Sequence, residues 1–281
     1  MYEENLGTHL SLDETALSQG ELYTVLTNKA AKGKKGALVA MIKGTNSQTV
    51  RDVLGKIPLR KRKKVVEVTL DMAASMENIA RYSFPKALLV TDRFHVQKLT
   101  YDAIQEIRIA YRWEAIDQEN KEIELAKELG IKHIPDILRN GDTLKQLLVR
   151  SRYLLFKPES KWTESQKLRA EILFEYYPAL EQAYKLAMQL GGIFQHIKNK
   201  GIAFSKLAKW YDDVEKTGFK SFNTVSNSIQ SHYLNILNYF ENRSTNASAE
   251  SFNAKIKAFR SAFRGVRSVT FFLFRLANIY A

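Results

Sequence analysis

Between Val96 and Phe240 the chain gives no strand signal, and the residues after that block are too few to build a domain of their own. What remains there reads as one polar helix followed by one apolar helix, Ser268 to Tyr280. Such helices need a sheet to pack against, and strand patterns occur only in the first 95 residues. The sequence therefore demands a discontinuous core: residues 1–95, an all-helical block over 96–240, and a return of residues 241–281 to the first part.

Within the first part, His9 to Leu17, Glu21 to Lys29 and Ala37 to Lys43 read as three strands joined by short turns, an antiparallel meander. Asn46 to Leu54 follows as a capped helix, then a basic connection, Leu59-Arg60-Lys61-Arg62-Lys63-Lys64. Val65 to Leu70 is strand-like and runs into Asp71; Ser75 to Tyr82 is helical; Ala87 to Thr91 is a short strand running into Asp92. The expected class is α/β, a mixed sheet with helices on both faces. With acidic residues at or near the ends of the first, fourth and fifth strands, the pattern resembles the ribonuclease H-like nuclease fold, here carrying a large all-helical insertion before the last catalytic helix.

Within the block, Val96 to Leu129 reads as a long helix. Asp142 to Phe156 follows, then a helix capped by Thr163-Glu164-Ser165-Gln166. A helix from Pro178 is expected to be interrupted near Gly191-Gly192, and Asn223 to Phe240 to form a single helix.

The formal net charge of +13 favours a polyanionic partner, most often nucleic acid. No uncharged apolar run is long enough to span a membrane, and no secretory signal opens the chain. Cysteine is absent, which excludes disulfides, thiolate zinc sites and cysteine nucleophiles and suits a cytoplasmic protein.

The chemistry concentrates in acidic residues. Asp13, Asp71 and Glu250 are the candidates for a carboxylate cluster able to hold divalent cations. Glu250 and Asn253 fall on one side of a helix whose apolar side is Phe252, Ile256 and Phe259. Asp92 and His95 form a second group, at a strand end and one turn into the next helix. Lys255, Lys257, Arg260, Arg264 and Arg267 are candidates for neutralising phosphates. Arg108 and Arg112, beside Tyr111 and Trp113, are candidates for contact with DNA ends.

The run Leu12-Asp13-Glu14, then Leu70-Asp71-Met72, then Asp92-Arg93-Phe94-His95-Val96, resembles bacterial insertion-sequence transposases of the DDE type, in the group called IS-L-three. The likeness continues through Thr163-Glu164-Ser165-Gln166, Leu180-Glu181-Gln182-Ala183-Tyr184 and Tyr239 to Lys257, covering about Leu10 to Leu276. The resemblance implies a catalytic triad of Asp13, Asp71 and Glu250 holding two divalent ions, Mg2+ or Mn2+, with Asp92 and His95 acting near the DNA ends. It implies hydrolysis at the element's ends and strand transfer into target DNA, by a homo-oligomer in the DNA complex. The alternative is an inactive or truncated DNA-binding remnant. Members of the group usually carry an N-terminal zinc module and a helix-turn-helix. This sequence starts near the first strand without cysteine, so end recognition is expected from a separate polypeptide.

Overall fold

A computed structural model describes residues 1–17, 21–262 and 268–281. They form two compact units: residues 1–96 with 232–281, and residues 97–231.

The first unit is built on a five-stranded sheet of β1 (His9–Ala16), β2 (Leu22–Asn28), β3 (Leu38–Lys43), β4 (Glu67–Leu70) and β5 (Leu88–Thr91), in the order β3-β2-β1-β4-β5. β1, β2 and β3 are antiparallel neighbours, whereas β4 runs parallel to both β1 and β5. Helices α1 (Ser47–Gly55), α2 (Leu59–Arg62) and α3 (Ala74–Ser83) connect the strands. The short α2, inside the basic connection, has no apolar periodicity to announce it; it starts at Pro58, whose carbonyl accepts from Lys61 and Arg62.

Strand alternation separates the two sheet faces. Leu10, Leu12, Leu26, Val68, Leu70 and Leu89 pack with Val50, Leu54, Met76 and Ile79 from α1 and α3. Each such fully buried side chain contributes about 1.5–3 kcal/mol. The opposite face is mixed. Val25 and Leu38 join Phe252 and Ile256 of α11 (Ala247–Ala262) and Phe272 and Leu276 of α12 (Val269–Tyr280) in a second apolar cluster. On β1 and β4 that face is instead polar and buried: Ser11, Asp13, Thr15, Glu67 and Thr69. α10 (Tyr233–Asn242) packs along β5, with Asn238 Nδ2 donating to the Leu89 carbonyl at 2.9 Å.

The chain thus rejoins the sheet at His232, earlier than the expected residue 241. The single helix expected over Asn223 to Phe240 breaks at His232, whose backbone (φ −112°, ψ 16°) leaves the helical region and separates α9 (Lys220–Ser231) from α10.

The second unit is helical throughout its described residues: most of α4 (Arg93–Glu128), then α5 (Leu144–Arg150), α6 (Glu164–Tyr176), α7 (Pro178–His196), α8 (Lys200–Thr217) and α9. Thr163 and Gln166 cap α6 reciprocally, as their spacing predicts. α7 runs unbroken through Gly191-Gly192, against expectation. Gly191 serves close packing instead: a Cβ there would meet Gln97 Oε1 at 2.8 Å, and Gln97 donates to the Ala187 carbonyl of the same helix. Trp210 is fully buried and donates to the Leu186 carbonyl at 2.9 Å.

Candidate active site

Strand register brings three aspartates into line. β1 and β4 pair Leu10 with Val68 and Ser11 with Thr69, so the same register carried two residues on sets Asp13 opposite Asp71. β4 and β5 pair Leu70 with Thr91, and Asp92 N extends that ladder by donating to the Leu70 carbonyl at 3.0 Å, setting Asp92 opposite Asp71. Each step across the sheet is about 4.8 Å. β4 and β5 end at this point, and their carboxyl ends open into the turns that start α3 and α4.

Asp13 is 8% exposed. Its Oδ1 accepts from Glu14 N at 2.9 Å and its Oδ2 from Asn253 Nδ2 of α11 at 2.7 Å. Burial pushes its carboxyl from 3.8 up to about 6; the Glu14 amide and His95 oppose the rise, and the charges of Asp71 and Glu250 add to it. Asp71 is half-buried, and its Oδ1 accepts from Ala73 N at 2.9 Å, which shapes the turn into α3. Asp92 is buried and accepts from Phe94 N at 3.3 Å at the start of α4. Glu250 lies in the first turn of α11, and burial, then the Asp92 charge, raises its carboxyl, against His95. One ligand atom each from Asp92, His95 and Glu250 lie within 4.8 Å of one another.

The docking of α11 explains how Glu250 and Asn253 arrive. Phe252 and Ile256 are fully buried in the second apolar cluster, so their neighbours on the helix flank face β1. At the other end of this contact Lys255 Nζ donates to the Gly33 carbonyl at 3.0 Å. Gly33 has φ +70°, and a Cβ there would lie 3.3 Å from that ammonium.

Four carboxylates thus gather with one imidazole, and among the described residues none of the four is paired with a lysine or arginine. Glu250 Oε1, His95 Nε2 and Asn253 Oδ1 are buried without hydrogen-bond partners among those residues. Clustered carboxylates, with Asp13 and Glu250 raised by burial and neighbouring charge, together with unused ligand atoms, suit a hard divalent cation.

Ionising Asp13 in the metal-free fold has a stability cost. The raised carboxyl favours the folded state in acid, and that advantage is lost as pH rises from 3.8 through about 6. Asp13→Asn removes the cost, and Asn253 can turn its unpartnered Oδ1 toward the new amide. The variant is expected to be about 2–3 kcal/mol more stable than the parent at pH 7.5 and nearly equal to it at about pH 3. Urea unfolding in a chelator checks this, and a less stable variant at pH 7.5 would refute it.

The basic candidates divide. Lys257 is exposed. Lys255 is engaged by the Gly33 turn, and Arg260 lies over the Phe272 ring at 5.3 Å. Arg264 and Arg267 lie outside the described residues. Arg108 is corrected: it is 5% exposed, donates to the Leu148 carbonyl at 2.8 Å and to Gln105 at 2.6 Å, and so is committed to packing rather than to DNA. Arg112 is half-buried, its guanidinium 6.0 Å from the Trp113 ring. Exposed cations that the candidates omitted include Arg60 within α2 and Lys63 and Lys64 just after it, for which charge density alone was the available signal. Among the described residues no helix is long and apolar enough to cross a membrane.

The family model for DDE transposases of the ISL3 type, described as a transposase, matches residues 10–276. Neither a curated protein nor a solved structure matches the chain.

Proposed function

The chain belongs to the ISL3 family of DDE transposases, and from that premise we propose that it cleaves DNA at insertion-sequence ends and transfers the freed strand into target DNA. DNA is the partner the family implies. One observation carries the catalytic reading: Asp71 and Glu250, from two further elements, both act on the charge of Asp13, and among the described residues no lysine or arginine pairs with any of the three. The strand order β3-β2-β1-β4-β5 and the helical unit inserted between β5 and α10 support a ribonuclease H-like reading of the fold.

In this reading Asp13, Asp71 and Glu250 would hold the divalent ions. Bound there, such ions stabilise the charge on the attacking and leaving oxygens of an in-line phosphoryl displacement. Asn253 positions Asp13 through the 2.7 Å hydrogen bond. Asp71 is favoured over Asp92 as the second acid of the triad, because β4 borders β1 and the Asp71 charge acts on Asp13. The burial around Asp13 limits water at the reacting phosphate and strengthens every charge interaction there. Water attacks first, at the element's end; the 3′-hydroxyl so released then attacks target DNA by the same in-line geometry. Both steps break one phosphodiester bond, and the second forms another.

The test is strand cleavage on DNA carrying the element's ends, with Mg2+ or Mn2+ against a chelator. Cleavage that needs the cation is expected; cation-independent cleavage, or none with either ion, would count against the reading. Binding to duplex DNA is expected to be weak, insensitive to sequence and steeply weakened by salt, since exposed cations such as Lys257, Arg60, Lys63 and Lys64 contact phosphates rather than bases. Fluorescence anisotropy across a salt series measures this, and salt-resistant binding of one sequence would contradict it.

A further inference from the structure

We propose that Asp92, His95 and Glu250 form a cation site of their own, with a nitrogen donor that makes it prefer Mn2+ to Mg2+. It rests on the reading of the site as cation-binding but gives Asp92 and His95 a direct part in it. Glu250 would then be shared with the all-oxygen pair Asp13 and Asp71, and the two cation positions would differ in chemistry.

The three ligand atoms lie within 4.8 Å of one another. Donor atoms around one octahedral ion lie about 3 to 4.3 Å apart, so side-chain shifts of a few tenths of an ångström suffice. The three residues sit on ordered elements: Asp92 at the end of β5, His95 in the first turn of α4, Glu250 in the first turn of α11. Asp92 is oriented by the Phe94 amide. His95 Nε2 and Glu250 Oε1 are buried, and neither has a hydrogen-bond partner among the described residues. A histidine placed here only for packing would be expected to bond the adjacent carboxylate. The same unit does this elsewhere: His232 Nδ1 lies 3.3 Å from Glu77 Oε2. At the Asp92 cluster the atoms converge without bonding each other, the arrangement a ligand between them would complete.

The donor set fixes the preference. Mg2+ favours carboxylate and water oxygens and gains little from imidazole, whereas transition ions take both. His95 is the one nitrogen donor among these site residues, so its removal should discriminate between the ions. Among the described residues neither Asp13 nor Asp71 is hydrogen-bonded to a histidine, and both offer oxygen alone.

The experiment uses the full chain with Mn2+ chloride, read by electron spin echo envelope modulation and by calorimetry. Bound Mn2+ is expected to show nitrogen-14 coupling from one imidazole. His95→Gln should abolish that coupling and weaken Mn2+ binding about tenfold or more, while Mg2+ binding changes less than threefold. Asp92→Asn should weaken Mn2+ similarly, and circular dichroism verifies that each variant is folded. Bound Mn2+ without nitrogen coupling, coupling that survives His95→Gln, or failure of the folded protein to bind Mn2+ would overturn the proposal. Cleavage is measured separately. Nitrogen coupling in a protein whose cleavage is indifferent to Glu250 would sustain the cation site and remove the catalytic reading alone.

Discussion

Glu250→Gln is expected to leave the fold intact and reduce cation-dependent strand cleavage by about three orders of magnitude, equivalent to about 4 kcal/mol of transition-state stabilisation. The two effects separate because the helix is anchored by other residues. Phe252 and Ile256, both fully buried, dock α11 on the sheet, while Glu250 lies on the flank with one carboxylate oxygen that has no hydrogen-bond partner among the described residues. Glutamine keeps the side chain's size and breaks no ion pair among the described residues. It also removes a charge that burial and Asp92 already disfavour, so the variant should melt at the parent's temperature or slightly above it. Phe252→Ala supplies the contrast: it opens a cavity in the cluster with Val25, Leu38 and Phe272 and should cost about 3–5 kcal/mol of stability. Asp13→Asn and Asp71→Asn are expected to match the catalytic loss of Glu250→Gln. Gel-based strand cleavage and thermal unfolding on the same preparations test the set. Near-normal cleavage by Glu250→Gln would remove Glu250 from the chemistry and leave α11 as a docking helix.

The strands were legible because alternation in β1 and short apolar, β-branched-rich runs in β4 and β5 are what strands of a packed sheet require. Return of the chain to the sheet also followed from the sequence, since Phe252, Ile256 and the apolar last helix required a partner. Registers were less accessible. That Asp13, Asp71 and Asp92 fall in line depends on pairings such as Ser11 with Thr69 and Leu70 with Thr91, which single-strand patterns do not encode. Side-chain partners across long separations were equally hidden: Asn253 reads as a polar helix position until its amide is found 2.7 Å from Asp13. Arg108 failed for a related reason. An arginine on an amphipathic helix has the same sequence appearance whether it faces water or donates to a carbonyl such as that of Leu148. The break at His232 escaped because apolar spacing continues from Val225 through Ile229 to Ile236 without interruption.

Lys29→Met is expected to destabilise the protein by about 3 kcal/mol at neutral pH, through Glu67 rather than through the lost lysine itself. Glu67 is 1% exposed at the start of β4, and nothing in its strand pattern marked it as more than an edge polar residue. Its Oε1 lies 3.1 Å from Lys29 Nζ, which also donates to the Thr69 hydroxyl, and its Oε2 accepts at 3.4 Å from Asn242, the last residue of α10. Burial alone would push this carboxyl up. Hydrogen bonds from Ser244, Lys29 and Asn242, together with the Lys29 charge, outweigh it and hold the group below its ordinary 4.5. A lowered folded value means that the stability from Glu67 is present above about pH 4.5 and is lost as pH falls through the lower value. Methionine preserves the bulk of the lysine stem but strands the carboxylate, so Glu67 should titrate upward and the variant's deficit should shrink in acid, where the group is neutral. Adding Glu67→Gln to Lys29→Met should recover much of the loss at neutral pH, because the amide oxygen can accept from Asn242 and the amide nitrogen can donate to the Thr69 hydroxyl, without a buried charge. Urea unfolding of the parent, the single variant and the double variant at pH 7 and pH 4 decides it. A Lys29→Met deficit equal at both pH values, or no recovery in the double variant, would show that the ammonium acts by packing and not by holding Glu67 ionised.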